Sequence, residues 1–367
     1  MSQLHIGFIG LGLIGGSIAK ALRESRPEVF ITAYDINTVS LSAALQEGVI
    51  NAAAEQIDEH FADCRYLFLC APVQKNDANL EAVRQILSPD CTLTDVGSVK
   101  TDIHRHIAEA GLEGQFIGGH PMAGSERFGY ANSKAKLLEN AYYILTPTEQ
   151  TDPNRLEDYR ALVQDMGAIP LVLDYRQHDY VTAGISHLPH VIAASLVNLI
   201  RDSDNEDGIM KLVAAGGFKD ITRIASSSAA MWQQICLTNT ENISALLGSY
   251  IDSLSRIKEQ LDQRQSDALY QLFDSARIYR DSFINASSGP IKRVYAFNID
   301  IDDRPGMLAQ VATTLAFNQI NIKNIGIVHN REFEEGVLRI EFYDEASLEA
   351  AKELLSTPQF VIHEKKL

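Results

Sequence analysis

GGHPMAGSE, residues 118–126, sets a histidine between two glycines and a proline. Gly118 and Gly119 allow a sharp turn, and Pro121 restricts the residue before it, so His120 is expected on a stiff, approachable loop. An imidazole there suits proton removal near neutral pH, as an alcohol oxidation needs when hydride leaves the hydroxyl-bearing carbon. The same residue also fits a turn histidine bonded to backbone. Upstream, DVGSVK places Ser98 and Lys100 just past another strand, where Ser98 could hydrogen-bond His120. Glu126 could shape the pocket entrance.

Hydride needs an acceptor, and GFIGLGLIGGSIAKAL supplies a place for one. Gly10, Gly12 and Gly15 have G-x-G-x-x-G spacing between a strand and a helix, the arrangement that brings a pyrophosphate against a helix N-terminus. The turn Gly10, Leu11, Gly12, Leu13, Ile14 and Gly15 is therefore read as a dinucleotide cradle. Asp35 ends the next strand, 20 residues after Gly15, where a carboxylate accepts from both ribose hydroxyls and favours NAD over NADP. In CAPV, Ala71 and Pro72 follow a further strand at the same sheet edge and are expected to line the cofactor.

A second group of polar residues lies in a helical stretch. SHLPH carries His187 and His190, and GGFKDITRIASSSAAMW carries Lys219, Asp220, Arg223 and Trp232. His187 and His190 could share a helix face, but no H-E-x-x-H pattern or nearby cysteine accompanies them, so no metal is expected. Arg223 and Lys219 make a basic spot in an acidic chain, and a guanidinium binds a carboxylate bidentately. A surface ion pair with Asp220 is the plainer possibility.

The elements around these residues change character along the chain. Short apolar runs (HIGFIG, FITAY, YLFLCA, CTLTDV, QFIGG, YYILTP, IPLVL) alternate with amphipathic segments, the signature of a doubly wound α/β domain, here of Rossmann type and spanning 1–175. Residues 176–285 read as an all-helical second domain whose apolar faces suggest a dimer interface, and NASSGP as a linker. From 292 to 367 the order is βαββαβ, a ferredoxin-like α+β sandwich.

At 367 residues several domains are expected, and a formal charge of −16 works against nucleic-acid or anionic-membrane partners. Four scattered cysteines suit reduced thiols, and the N-terminus lacks signal-peptide features, so the cytoplasm is expected. TAGISHLPHVIAASLVNLI, residues 182–200, is the most apolar long stretch. Its histidines, proline and asparagine favour a buried helix over a membrane span.

Taken together, GFIGLGLIGGS, DVGSVK, HPMAGSE, YYILTP, ISHLPH and GGFKDITRIASSSAAMW resemble the prephenate dehydrogenase family, over about residues 1–285. IDDRPGMLAQVATTLAFNQINIKNI resembles an ACT domain, an amino-acid-sensing module. The resemblance implies oxidative decarboxylation of prephenate by NAD to 4-hydroxyphenylpyruvate in tyrosine biosynthesis. It makes His120 the acceptor of the ring-hydroxyl proton and Ser98 its orienting partner. His190 and Arg223 would bind substrate, while Lys219, Glu126 and His187 line or gate the pocket. With an ordinary imidazole pKa, activity would fall below about pH 6.5. For the tail it implies a homodimeric regulatory site for L-tyrosine at Asp303, Arg304, Pro305, Gly306, Asn321 and Ile322. A purely structural dimerisation module is the other possibility. Arogenate dehydrogenase is the nearest rival activity, a 3-hydroxyacid dehydrogenase would offer a lysine base, and a non-catalytic NAD- and amino-acid-responsive regulator is the reading from outside enzymes.

Overall fold

Strand β1 (His5–Ile9) is buried from Ile6 onward, as a strand covered by helices on both faces must be. It pairs in parallel with β2 (Phe30–Tyr34) on one side and β4 (Tyr66–Leu69) on the other. With β3 (Ala52–Ala53) beyond β2 and β5 (Thr92–Asp95) beyond β4, the order is β3-β2-β1-β4-β5. The chain reverses direction across the sheet between β1 and β4, so a crevice opens at their carboxyl ends. Two apolar clusters hold the faces, one around Phe8, Ile18, Ile31 and Phe68, the other around Ile9, Phe61, Leu69 and Phe116. This is the Rossmann-type α/β domain.

The next three strands form a separate sheet that meets the first through a parallel bridge. β6 (Ile117–Pro121), β7 (Tyr142–Pro147) and β8 (Ile169–Val172) form their own sheet, with β6 antiparallel to β7 and β8 parallel to it. A bridge from Leu93 to Phe116 links it to β5. Connection length explains the directions. Among the described residues between β6 and β7 there are only short 3-10 turns, at Tyr130–Asn132 and Ala135–Leu137, so β7 returns antiparallel. The helix Pro153–Asp165, capped by Asp152, supplies the crossover that makes β8 parallel.

From Tyr175 the chain is helical: Tyr175–Thr182, a π-helical turn Ala183–His187, Leu188–Ser203, Gly216–Thr222, Ala229–Thr238 and Thr240–Asp262. Burial is sparse. The 23-residue helix Thr240–Asp262 buries only Ile243, and Leu188–Ser203 buries only Ala193. The run Tyr175–Ser203 has the length and apolar composition of a membrane-crossing helix, yet just 17% of its most apolar window is covered. The expected buried helix is therefore largely uncovered within one chain, because so few helices cannot enclose one another.

The structure is a computed structural model describing residues 3–71, 73–124, 127–284, 295–301, 305–328, 336–356 and 360–363. It divides into two compact units, 1–265 and 266–367. The second contains a helix, Ser266–Ile284, and strands β9 (Tyr295–Ile301), β10 (Ile322–Val328), β11 (Gly336–Phe342) and β12 (Val361–His363). These strands pair antiparallel in the order β10-β11-β9-β12. Helices Met307–Phe317 and Glu345–Leu355 contribute Val311, Leu315, Ala351 and Leu355 to a core with Phe297, Ile299, Leu338 and Ile340.

Candidate active site

The glycine turn fits a dinucleotide for three separable reasons. Gly10 has φ +97°, and a Cβ there would lie 2.7 Å from the amide nitrogen of Ala71. A Cβ on Gly15 would lie 2.6 Å from the Gly10 carbonyl oxygen, so both glycines are demanded by close packing. At Gly12, by contrast, a Cβ would meet nothing within 4 Å. That open side, at the uncapped N-terminus of helix Leu13–Ser25, leaves room for phosphates against backbone N–H groups. Leu13 and Ile14 open that helix half-buried, whereas the Leu11 side chain is wholly buried and its amide is donated to Asp35. Asp35 directly follows β2 and accepts from the amides of Leu11 at 2.6 Å and Asn37 at 2.7 Å. Ala71 lies half-buried after β4, and Pro72 is outside the described residues.

His120 stands in β6, paired with Ile144 of β7, and not on a turn. Its glycines serve packing. A Cβ on Gly118 would come within 2.2 Å of the Thr146 hydroxyl, and one on Gly119 within 2.6 Å of the Asp95 carbonyl oxygen. The Gly119 amide donates to the Asp95 carboxylate at 3.1 Å, which also pairs with the fully buried Lys100 ammonium. Burial pulls the Lys100 pKa down, and Asp95 opposes that. His120 is thus fixed by the ends of β5 and β7.

Nδ1 of His120 lies 2.8 Å from Nε2 of His178, whose Nδ1 lies 2.8 Å from the Asp179 carboxylate. Asp179 also accepts from the amides of Lys100 and Thr101 and from the Thr101 hydroxyl, at 2.7, 2.8 and 2.6 Å. Burial would raise the Asp179 pKa, but these bonds outweigh it and hold the carboxyl below its ordinary value. Burial, then the charges of His178, Lys100 and His187, hold His120 well below the imidazole range. Burial likewise lowers His178 despite Asp179. This environment favours the neutral imidazole of His120 at lower pH than an ordinary imidazole would allow.

Ser98 lies half-buried in the loop after β5, while the bond to Nδ1 of His120 is made by His178, which sequence reasoning did not single out. Its only signal was the adjacent His-Asp pair in RQHDY, where strands give way to helices. Thr182, Ala183 and His187 are buried at the helical boundary, and burial pushes His187 down to about 4. Asn239 donates to the Asp179 carbonyl oxygen at 2.8 Å and lies 3.1 Å from Nδ1 of His187. His190 is anchored to the Ser186 carbonyl at 2.9 Å and stacks on Trp232 at 3.7 Å. Burial lowers its pKa, the Ser186 hydrogen bond opposes that, and the charge of Arg223 adds to the lowering. Lys219 is exposed on Gly216–Thr222, and Arg223 opens the next turn. Glu126 lies outside the described residues.

In the second unit, Gly306 has φ +96° and precedes helix Met307–Phe317, with exposed Pro305 before it. Asn321 and Ile322 line a cleft of about 500 Å³ with Ala312, Ala316, Gln319 and Ile320. Asp303 and Arg304 lie outside the described residues.

Residues 18–171 match the model of the prephenate dehydrogenase nucleotide-binding domain, and 174–275 that of the prephenate dehydrogenase dimerization domain. The chain is 37% identical over 348 residues to prephenate dehydrogenase of Bacillus subtilis, covering 94% of each protein. A crystal structure of prephenate dehydrogenase from A. aeolicus, in complex with hydroxyphenyl propionate and NAD+, shares 34% identity and a TM-score of 0.73, covering 77% of this chain and 99% of that one. Synechocystis arogenate dehydrogenase shares 29% identity with a TM-score of 0.69, covering 76% and 100%. The glycine turn, the half-buried histidine on β6 and these matches agree: the chain belongs to the prephenate dehydrogenase family of NAD-dependent oxidoreductases.

Proposed function

We propose that the protein oxidises and decarboxylates prephenate with NAD, giving 4-hydroxyphenylpyruvate, carbon dioxide and NADH, as a step of tyrosine biosynthesis in the cytoplasm. The observation that carries this reading is His120, held neutral by burial and hydrogen-bonded through Nδ1, which leaves Nε2 for the ring hydroxyl. NAD, when bound along Gly10–Gly15 and Asp35, supplies the hydride acceptor. His120 takes the hydroxyl proton, and loss of carbon dioxide from the opposite ring carbon is driven by aromatisation. Arg223 holds the side-chain carboxylate and orients the ring, a positioning contribution to the rate. The departing carboxylate is bound less firmly, since uniform binding would not speed the chemical step. Ser98, His187, His190, Lys219 and Glu126 complete the pocket.

The chain works as a homodimer joined through its helical domain, 176–285, between the NAD domain, 1–175, and a ferredoxin-like ACT domain, 292–367. The match to the B. subtilis enzyme extends over 94% of both chains and therefore includes most of this tail. Its antiparallel order and the cleft at Asn321 and Ile322 support an amino-acid site. L-tyrosine is the ligand proposed, at Asp303–Gly306 and Asn321–Ile322. The likeness to the arogenate enzyme keeps arogenate as a second substrate reading.

The test mixes purified protein with NAD and either prephenate or arogenate and follows NADH absorbance. Prephenate-dependent NADH is the expected result, slowed by added tyrosine. Turnover of arogenate alone would reassign the substrate, and unchanged rates at saturating tyrosine would remove the effector.

A further inference from the structure

His120 and His187 are bonded in opposite senses, and both bonds lead to Asp179. The Asp179 carboxylate only accepts, so His178 must donate to it from Nδ1, leaving Nε2 of His178 as an acceptor. Across the 2.8 Å contact, His120 must then donate from Nδ1, and its lone pair sits on Nε2. The second line begins at the Asp179 backbone carbonyl, which also only accepts. It fixes the Asn239 amide with Nδ2 toward it, and Asn239 Oδ1 accepts from Asn242 at 2.8 Å in agreement. The remaining Nδ2 hydrogen faces Nδ1 of His187 at 3.1 Å, so Nδ1 of His187 accepts and its proton sits on Nε2.

We propose that His178 and Asn239 are positioning residues that set these two histidines in complementary tautomers, His120 as a proton acceptor at Nε2 and His187 as a hydrogen-bond donor at Nε2. Such a pair suits a substrate that presents a hydroxyl proton to one ring and an anionic oxygen to the other. Either tautomer reversed would set N–H against a hydroxyl that must give up its proton, or a lone pair against a carboxylate. This inference rests on the reading of His120 as the base, and deepens it.

The test records long-range proton–nitrogen spectra of ¹⁵N-histidine-labelled, ligand-free protein, alongside steady-state kinetics. The wild type is expected to show His120 protonated at Nδ1 and His187 at Nε2; either found reversed overturns the proposal. His178→Leu removes the acceptor, and kcat should fall roughly 100-fold or more, with prephenate KM and NAD Kd within about threefold. His178→Gln returns an amide oxygen to the Nε2 position and should restore kcat to within roughly tenfold of wild type. Asn239→Asp offers only acceptors, so it should move the His187 proton to Nδ1 and raise prephenate KM about tenfold, leaving the His120 signals in place. A His178→Leu enzyme with kcat within twofold of wild type overturns the idea. Where that variant does not fold, His178→Gln decides: His120 still protonated at Nδ1 supports it, and protonation at Nε2 overturns it. His120→Asn retaining activity would instead break the base reading, while the tautomers read in the ligand-free wild type would still stand.

Discussion

The strands around His120 and the helices around Arg223 solve opposite problems. In the first region Asp95, Lys100, His178 and Asp179 are almost fully buried, and each has a partner at hydrogen-bond distance. In the second, apolar side chains such as Leu212, Val213, Ile221 and Leu237 stand more than 60% exposed. Buried polar groups left unsatisfied would cost more than they return, so the first region is fixed by its own chain. The second lacks enough neighbours within one chain to cover its apolar faces, and it lies in the segment that matches a dimerization domain. His120 and Arg223 are therefore held by different means.

Four substitutions or conditions sharpen that contrast, from the strongest effect down. His120→Asn should lower kcat by roughly 10²–10⁴-fold with NAD affinity unchanged, read by stopped-flow and fluorescence titration. Retained turnover would make the self-sufficient region irrelevant to chemistry. Leu254→Glu, on an exposed apolar position of Thr240–Asp262, should weaken the dimer by about 3 kcal/mol over its two copies, seen by light scattering against concentration. An intact dimer would place the interface elsewhere.

Gly119→Ala forces a methyl against the Asp95 carbonyl and should cost about 1–3 kcal/mol of stability, visible as a lower Tm. Acid gives the smallest effect. His104 and His187 are both buried and pushed down to about 4. They stay neutral in the folded state while unfolded imidazoles, near 6.5, take up protons. Stability is thus unaffected above that value and falls as pH drops toward 4, by about 1 kcal/mol per histidine at about pH 5.5. Urea melts at neutral and mildly acid pH check the sign, and a rise in stability on acidification would refute it.

How much was legible follows the same division. Gly10, Gly12, Gly15 and Asp35 could be read because a strand, turn and helix are local patterns, and the structure gives each glycine its own reason. His120 stood out by residue type, but Gly118 and Gly119 were misread as a turn, since Asp95 and Thr146 come from distant strands. His178 lies 58 residues from His120, and an adjacent His-Asp pair signifies nothing until folding brings the two rings together. The antiparallel return of β7 was illegible from strand composition, because connection geometry sets direction.

The Gly119 amide, donated to a buried carboxylate in the middle of packed strands, has a consequence in time. Its hydrogen should exchange only through global unfolding, whereas amides of Gly216–Thr222, a short helix that buries only Thr222, exchange through local openings. The strands that carry His120 should therefore keep their amide hydrogens long after the short helix that carries Lys219 has lost its own, so the two regions differ in lifetime as well as in burial.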